Sequence, residues 1–171
     1  MNRRETVAEA SILIDRLAAQ LRKLLRAGRF DEPAIIGIHT GGIWIAERLR
    51  DKLKIGTPLG QLNIAFYRDD FSRIGMHPHV TPSKLPFEVE GRHIILVDDV
   101  LHTGRTIRAA MNEIFDFGRP ASITLAVLVD RSGRELPIEA QAVGKTLKLK
   151  PAEHVKLSGP EPLALEITTS E

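Results

Sequence analysis

Apolar residues follow two kinds of pattern along this chain. Leu13, Leu17, Leu21 and Leu24 recur at helical spacing, joined by Ile14 and Leu25, while Arg16, Arg22, Lys23 and Arg26 lie off that stripe. Thr6-Val7-Ala8-Glu9 fits a capping box, so the pattern predicts a helix from an N-cap at Thr6 to a stop at Gly28. Ala34-Ile35-Ile36-Gly37-Ile38 is a nearly unbroken apolar run and reads as a strand buried on both faces, the mark of a parallel sheet. Thr40-Gly41-Gly42 then makes a tight loop, and residues 43–53 read as an amphipathic helix. A second strand is expected over residues 62–66. From Tyr67 to Pro86 the pattern dissolves into Gly, Pro, His and charge, a long loop of the kind that often forms a lid.

His93-Ile94-Ile95-Leu96-Val97 carries the strongest strand pattern, and it runs into Asp98-Asp99 and a turn with Thr103-Gly104. A helix is expected from about Arg105 to Phe117, stopped by Gly118 and Pro120, then an apolar strand over residues 122–129. The tail from Lys145 alternates in a way that suits short strands, as in Leu163-Ala164-Leu165-Glu166-Ile167. These units predict an open α/β sheet with ligand-binding loops at its carboxyl edge.

Composition narrows the class. The 171 residues, 43% hydrophobic and 27% charged, suit one globular domain spanning 1–171. No apolar run approaches the roughly 18 residues of a membrane span, and the first residues lack the apolar centre of a signal peptide, so the expected location is cytoplasmic. The absence of cysteine excludes disulfides, thiolate zinc sites and cysteine nucleophiles. Net charge is only +2, but residues 1–30 hold seven basic and three acidic side chains. That excess belongs either to a solvated helix face or to a surface for an anionic partner.

The stretch with chemistry in it is Ile94-Ile95-Leu96-Val97-Asp98-Asp99-Val100-Leu101-His102-Thr103-Gly104-Arg105-Thr106. It puts two carboxylates at the end of a buried strand, then a small turn, then a helix N-terminus. A helix N-terminus offers unpaired N–H donors and partial positive charge, which suit a phosphate. Gly104 allows close backbone approach, and Thr103 and Thr106 add hydroxyl donors. Paired carboxylates accept from vicinal sugar hydroxyls or hold a hydrated magnesium ion. Phosphate donors and hydroxyl acceptors a few residues apart describe a ribose 5-phosphate site.

This stretch resembles the phosphoribosyl-pyrophosphate loop of the type I phosphoribosyltransferases. Tyr67-Arg68-Asp69-Asp70, and Val127-Leu128-Val129-Asp130-Arg131 followed by Arg134-Glu135-Leu136-Pro137-Ile138, are similar to segments of one subfamily. That subfamily comprises the bifunctional pyrimidine operon attenuators that are also uracil phosphoribosyltransferases. The resemblance runs continuously over about residues 34–145. It implies a central, mostly parallel sheet flanked by helices, with a small hood. It also implies transfer of phosphoribose from phosphoribosyl pyrophosphate to uracil, giving UMP, with magnesium bound mainly through substrate and water.

By the same resemblance, Asp98 and Asp99 hold the ribose hydroxyls, while Leu101, His102, Thr103, Gly104, Arg105 and Thr106 cradle the 5-phosphate. Thr40, Gly41 and Gly42 line the pyrophosphate, with Gly41 standing where many relatives carry arginine. Residues 67–82 form a closing loop, with Arg68 as a catalytic candidate beside the acid pair. Val129, Asp130, Arg131 and Arg134 belong to the hood that reads the base. No side chain is assigned as general base. His102 reads as loop packing, His77 and His79 as parts of a solvated loop, and Trp44 as core or dimer packing. A homodimer or higher homo-oligomer is expected.

Leader RNA is the further partner that the subfamily raises. The rival reading from a different class is therefore a UMP-sensing RNA-binding attenuator with little catalytic role. Arg131, Arg134 and the basic first helix suit RNA, whereas Glu139 stands where RNA-binding relatives typically carry arginine. A purine or orotate phosphoribosyltransferase is a third reading, and Glu135-Leu136-Pro137 argues against it.

Overall fold

The structure is a computed structural model that describes residues 5–64 and 82–170. The main sheet has five strands in the order β3-β2-β4-β5-β6: β2 (Ala34–Ile38), β3 (Gly60–Leu62), β4 (His93–Leu101), β5 (Ser122–Arg131) and β6 (Ala142–Leu147). All four pairings in it are parallel. A smaller antiparallel sheet joins β1 (Glu5–Glu9), β8 (Ala164–Thr169) and β7 (Glu153–Ser158) in the order β1-β8-β7.

Strand alternation sorts the core into two layers, because successive side chains leave opposite faces. Ile35, Ile95, Val97 and Leu128 face α1 (Ala10–Gly28) and α2 (Gly41–Leu53), where they meet Leu13, Leu17, Leu21, Ile45 and Leu49. Ile36, Ile38, Ile94, Leu96 and Val127 face α3 (Arg105–Phe117), where they meet Ile107, Ala110 and Ile114. All five residues of β2 are buried, as its unbroken apolar run predicts. Leu157 and Leu165 of the small sheet are buried in the same layer as Leu13 and Leu17.

Three expectations need correction. Residues 5–9 are not a capped first turn. They pair with β8, Glu5 against Ile167 and Glu9 against Ala164, so α1 begins at Ala10. A distant strand satisfies those backbone groups where the local pattern offers a cap. Of the strand expected over 62–66, residues 65 and 66 lie outside the described residues, and before them the strand spans Gly60–Leu62, ending short of 63 and 64. After it, the Asn63 amide donates to Ser83 Oγ at 2.9 Å, leaving the ladder. β4 also continues past Val97, so the acid pair sits within the strand and the turn begins after Leu101.

Candidate active site

Three adjacent parallel strands, β2, β4 and β5, end on one edge, where open α/β sheets bind ligands. β2 leads into α2 through His39 and Thr40, across a cis peptide. His39 Nδ1 and Thr40 Oγ1 lie 2.9 Å apart, and the Thr40 hydroxyl makes no cap to the helix. The Ile43 amide donates to the Thr40 carbonyl at 3.2 Å, and no side chain at the cap position accepts from the Gly41 and Gly42 amides before it, an arrangement that suits an anion.

Glycines bring this helix end against the strand edge. A Cβ on Gly37 would lie 2.8 Å from Ile43 Cα, and one on Gly42 would lie 2.6 Å from the Val97 carbonyl oxygen. A Cβ on Gly41 would lie 2.6 Å from Asp99 Oδ2. The start of α2 and the Asp99 carboxylate thus form one surface. The sequence pattern puts Gly41 and Gly42 in a loop, whereas they form the first turn of α2. Gly37 sends a quieter signal, since it stands inside a strand pattern, where a glycine marks such a close approach.

The two acids differ in surroundings. Strict alternation along β4 ends at Val97, since Val100 packs in the layer of Ile95 and Val97 and Leu101 in that of Ile94 and Leu96, and Asp99 lies against the start of α2. Asp98 is only 6% exposed, and its Oδ1 accepts from the Asp99 amide at 2.8 Å. Asp99 Oδ1 accepts from the Val100 amide at 2.8 Å and is half-buried. Each carboxylate is oriented by a backbone amide, and Asp99 Oδ2 faces the start of α2.

Leu101, the last residue of β4, is buried, and residues 102–104 turn into α3. Gly104 is the N-cap at φ 95°, a left-handed conformation that favours glycine, and as glycine it brings no side-chain acceptor of its own. The Arg105 amide donates to Thr103 Oγ1 at 3.2 Å. Thr106 is half-buried in the first turn.

The strap after β5 lies against this turn. The Glu135 and Leu136 amides both donate to the Thr103 carbonyl at 3.0 Å. Arg134 Nη1 donates to the His102 carbonyl at 2.5 Å, and Arg134 Nη2 pairs with Asp130 Oδ1 at 2.6 Å. Arg105 Nε meets Glu135 Oε2 at 3.2 Å. Gly133, at φ 109°, leaves no room for a Cβ, which would lie 2.7 Å from His102 Nε2. Glu135 therefore contributes to the site in a way its sequence position does not reveal, because its amide's partner lies 32 residues away.

The sequence-predicted hood residues divide. Asp130 and Arg134 pair with each other beside the turn at 102–104. Val129 is fully buried, so its side chain belongs to the core and only its backbone is left for a ligand. Arg131 is 7% exposed, and its Nη1 donates to the Glu153 carbonyl at 3.1 Å, tying β5 to the small sheet. Burial lowers the His102 pKa below its ordinary value near 6.5. The positive charge of Arg131, and then those of Arg134 and His154, add to this, while Glu135 opposes it. His102 is thus neutral at pH 7. Arg68, Tyr67, Asp69, Asp70, His77 and His79, with nearly all of the expected closing loop, lie outside the described residues.

Residues 5–156 match the family model described as "Phosphoribosyl transferase domain". The chain is 62% identical over 157 residues to the "Bifunctional protein PyrR" of Nitrosococcus oceani, covering 91% of this chain and 89% of that one. It is 57% identical over 154 residues to the protein of that name from Pseudomonas aeruginosa PAO1, covering 90% and 91%. Among solved structures, the Trypanosoma cruzi hypoxanthine phosphoribosyltransferase superposes with a TM-score of 0.68 at 15% identity, covering 98% of this chain and 97% of that one. A hypoxanthine-guanine phosphoribosyltransferase from Bacillus anthracis gives 0.67 at 17% identity, covering 86% and 84%. At such identities the two structures speak for the fold alone. With most of its length matched by that family model and by these PyrR relatives, the chain belongs to the phosphoribosyltransferase family, in its PyrR branch.

Proposed function

We propose that this protein transfers the phosphoribosyl group of phosphoribosyl pyrophosphate to uracil, giving UMP and diphosphate. The observation that carries the reading is the meeting of three parts on one strand edge. The N-terminus of α2 abuts the Asp99 carboxylate, and the glycine turn before α3 is held by the strap that follows β5.

In this reading the 5-phosphate sits on the turn at 102–106, and the ribose hydroxyls donate to Asp98 and Asp99. The diphosphate meets the amides of Gly41 and Gly42. The bond from the anomeric carbon to diphosphate breaks, the bond to the uracil ring nitrogen forms, and that nitrogen's proton leaves. Positive charge develops on the sugar, and the Asp98 and Asp99 carboxylates beside it favour that state. Fixing both reactants on one edge removes much of the entropic cost of their meeting. The backbone of the strap at 129–137 reads the base.

Magnesium fits this donor set. Among the described residues no group of three or more His, Asp or Glu side chains could cage a metal ion. The Asp98 and Asp99 pair supplies the one or two carboxylates such an ion takes when substrate oxygens and water complete its shell. When bound, it would neutralise charge on the leaving diphosphate.

The direct test is a phosphoribosyltransfer assay with magnesium and uracil, run beside orotate, hypoxanthine and guanine. Product from uracil alone is expected, and equal turnover of a purine or of orotate would overturn the choice of base. A second reading, that the chain has a further role beside transfer, is favoured by its PyrR relatives being called bifunctional, and regulation of pyrimidine genes through RNA is the form that the resemblance of its motifs suggests for it.

A further inference from the structure

The contacts between strap and turn do more than close the site. A planar trans peptide sets its N–H antiparallel to its C=O. The peptides joining 102 to 103 and 103 to 104 are trans. Their carbonyls, those of His102 and Thr103, both point at the strap, where they accept from Arg134 Nη1 and from the Glu135 and Leu136 amides. The N–H groups of Thr103 and Gly104 must therefore point the other way, off the strap side of the turn. These are amides of the turn that the proposed reading gives to the 5-phosphate.

Arg134 is the one side chain in this set. Its other nitrogen, Nη2, is fixed by Asp130 at the end of β5. Asp130 in turn registers against Leu101, the residue that opens the turn. The guanidinium thus spans from the base-reading segment to the first peptide of the phosphate turn. A cation on a carbonyl also polarises the amide that shares its peptide, which strengthens that N–H as a donor.

We propose that Arg134 is a positioning residue that couples the 5-phosphate turn to the base-binding strap. It sets the plane of the 102–103 peptide so that the Thr103 N–H faces the phosphate, and a bound phosphate in turn holds the strap in its base-reading position. Such a coupling is reciprocal. The inference rests on the ribose 5-phosphate reading of this turn, but not on which base is used.

The test compares wild type with Arg134→Ala, Arg134→Lys and Asp130→Asn by calorimetry against ribose 5-phosphate, uridine and UMP. Amide shifts of Thr103 and Gly104 are followed by NMR during the ribose 5-phosphate titration. In Arg134→Ala the ratio of UMP to uridine affinity is expected to fall at least about tenfold, with the Thr103 amide response to phosphate lost. Arg134→Lys should restore part of both. Asp130→Asn, which keeps the shape but loosens the guanidinium, should show the same effects in weaker form, and it carries the test if Arg134→Ala does not fold. An unchanged ratio with an unchanged Thr103 response would overturn the coupling. So would an equal loss of uridine and UMP affinity, which would make Arg134 a direct base contact. Failure of wild type to use uracil in the transfer assay would remove the uracil assignment and leave the ribose 5-phosphate comparison standing.

Discussion

Asp99 and the two glycines opposite it show how function and packing divide between neighbouring residues. Asp99→Asn keeps the shape and one acceptor but removes the charge matched to the developing positive sugar. Phosphoribosyltransfer is expected to fall at least about tenfold, about 1.4 kcal/mol at the transition state, in a protein whose melting temperature is unchanged. A wild-type rate would remove Asp99 from the reaction. Gly42→Ala presses a methyl onto the Val97 carbonyl oxygen, 2.6 Å away, and backbone there cannot yield. It should cost about 2 kcal/mol, read as a lower urea midpoint at constant slope. Gly41→Ala meets a half-buried carboxylate instead, which can swing aside, so stability should hold while the KM for phosphoribosyl pyrophosphate rises. His102 adds a pH dependence. Its folded pKa lies below the unfolded value near 6.5, so the unfolded chain binds more protons below that pH. Its contribution is complete above about pH 6.5 and declines as pH falls towards the lowered folded value. His102→Gln should flatten the fall in melting temperature across that window, and an identical pH profile would show that His102 does not titrate as argued. The acid pair of the candidate site and the turn into α3 are legible in the sequence because Asp98-Asp99 and Thr103-Gly104 lie close together in it. The division of the hood arginines is not, since Arg131 finds the Glu153 carbonyl and Arg134 the His102 carbonyl only through the fold.

Helices and central strands carry their own signatures, and edge elements do not. The helix expected at 105–117 matches α3, and the apolar runs of β2 and β4 begin where the pattern puts them. Local periodicity suffices there because each element buries one face or two against neighbours of its own sheet. β1 has the look of a helix start because Thr6 and Glu9 stand at capping-box spacing, while β8, the strand it pairs with, lies at the far end of the sequence. Non-local pairing of this kind leaves little local trace. The small sheet nevertheless shares its buried layer with α1, through Leu157 and Leu165 against Leu13 and Leu17. The chain is therefore expected to unfold as one cooperative unit. Leu165 is fully buried, so Leu165→Ala should cost about 3 kcal/mol and move the whole transition. Calorimetry and far-ultraviolet dichroism should report the same shifted midpoint, and a separate early transition would make the small sheet an independent unit.

At the scale of the whole molecule the open matter is its attraction for nucleic acid. Net charge is only +2, so binding to RNA must come from local basic clusters. The two hood arginines are largely engaged already. Arg131 is buried and donates to the Glu153 carbonyl, and Arg134 is shared between Asp130 and the His102 carbonyl. Glu139 is exposed just beyond them, adding negative charge beside any phosphate that approaches the strap. The first helix adds Arg16, Arg22, Lys23 and Arg26, of which Arg22 donates to the Lys52 carbonyl at 3.1 Å and Arg16 to the Gly144 carbonyl at 3.5 Å. Every RNA phosphate that the surface leaves unneutralised keeps its counterion, and the salt slope of binding falls by about one. At about 0.15 M salt, where surface charges are screened beyond about 8 Å, specific attachment to the organism's own pyrimidine-gene leader RNA is expected to be weaker than micromolar. Binding that emerges only at low salt fits this expectation, and Glu139→Arg should then tighten it without altering phosphoribosyltransfer. Sub-micromolar binding at about 0.15 M salt, strengthened by UMP, would show that α1 and the strap still form an RNA surface. It would also move the weight of the protein's role from catalysis towards regulation.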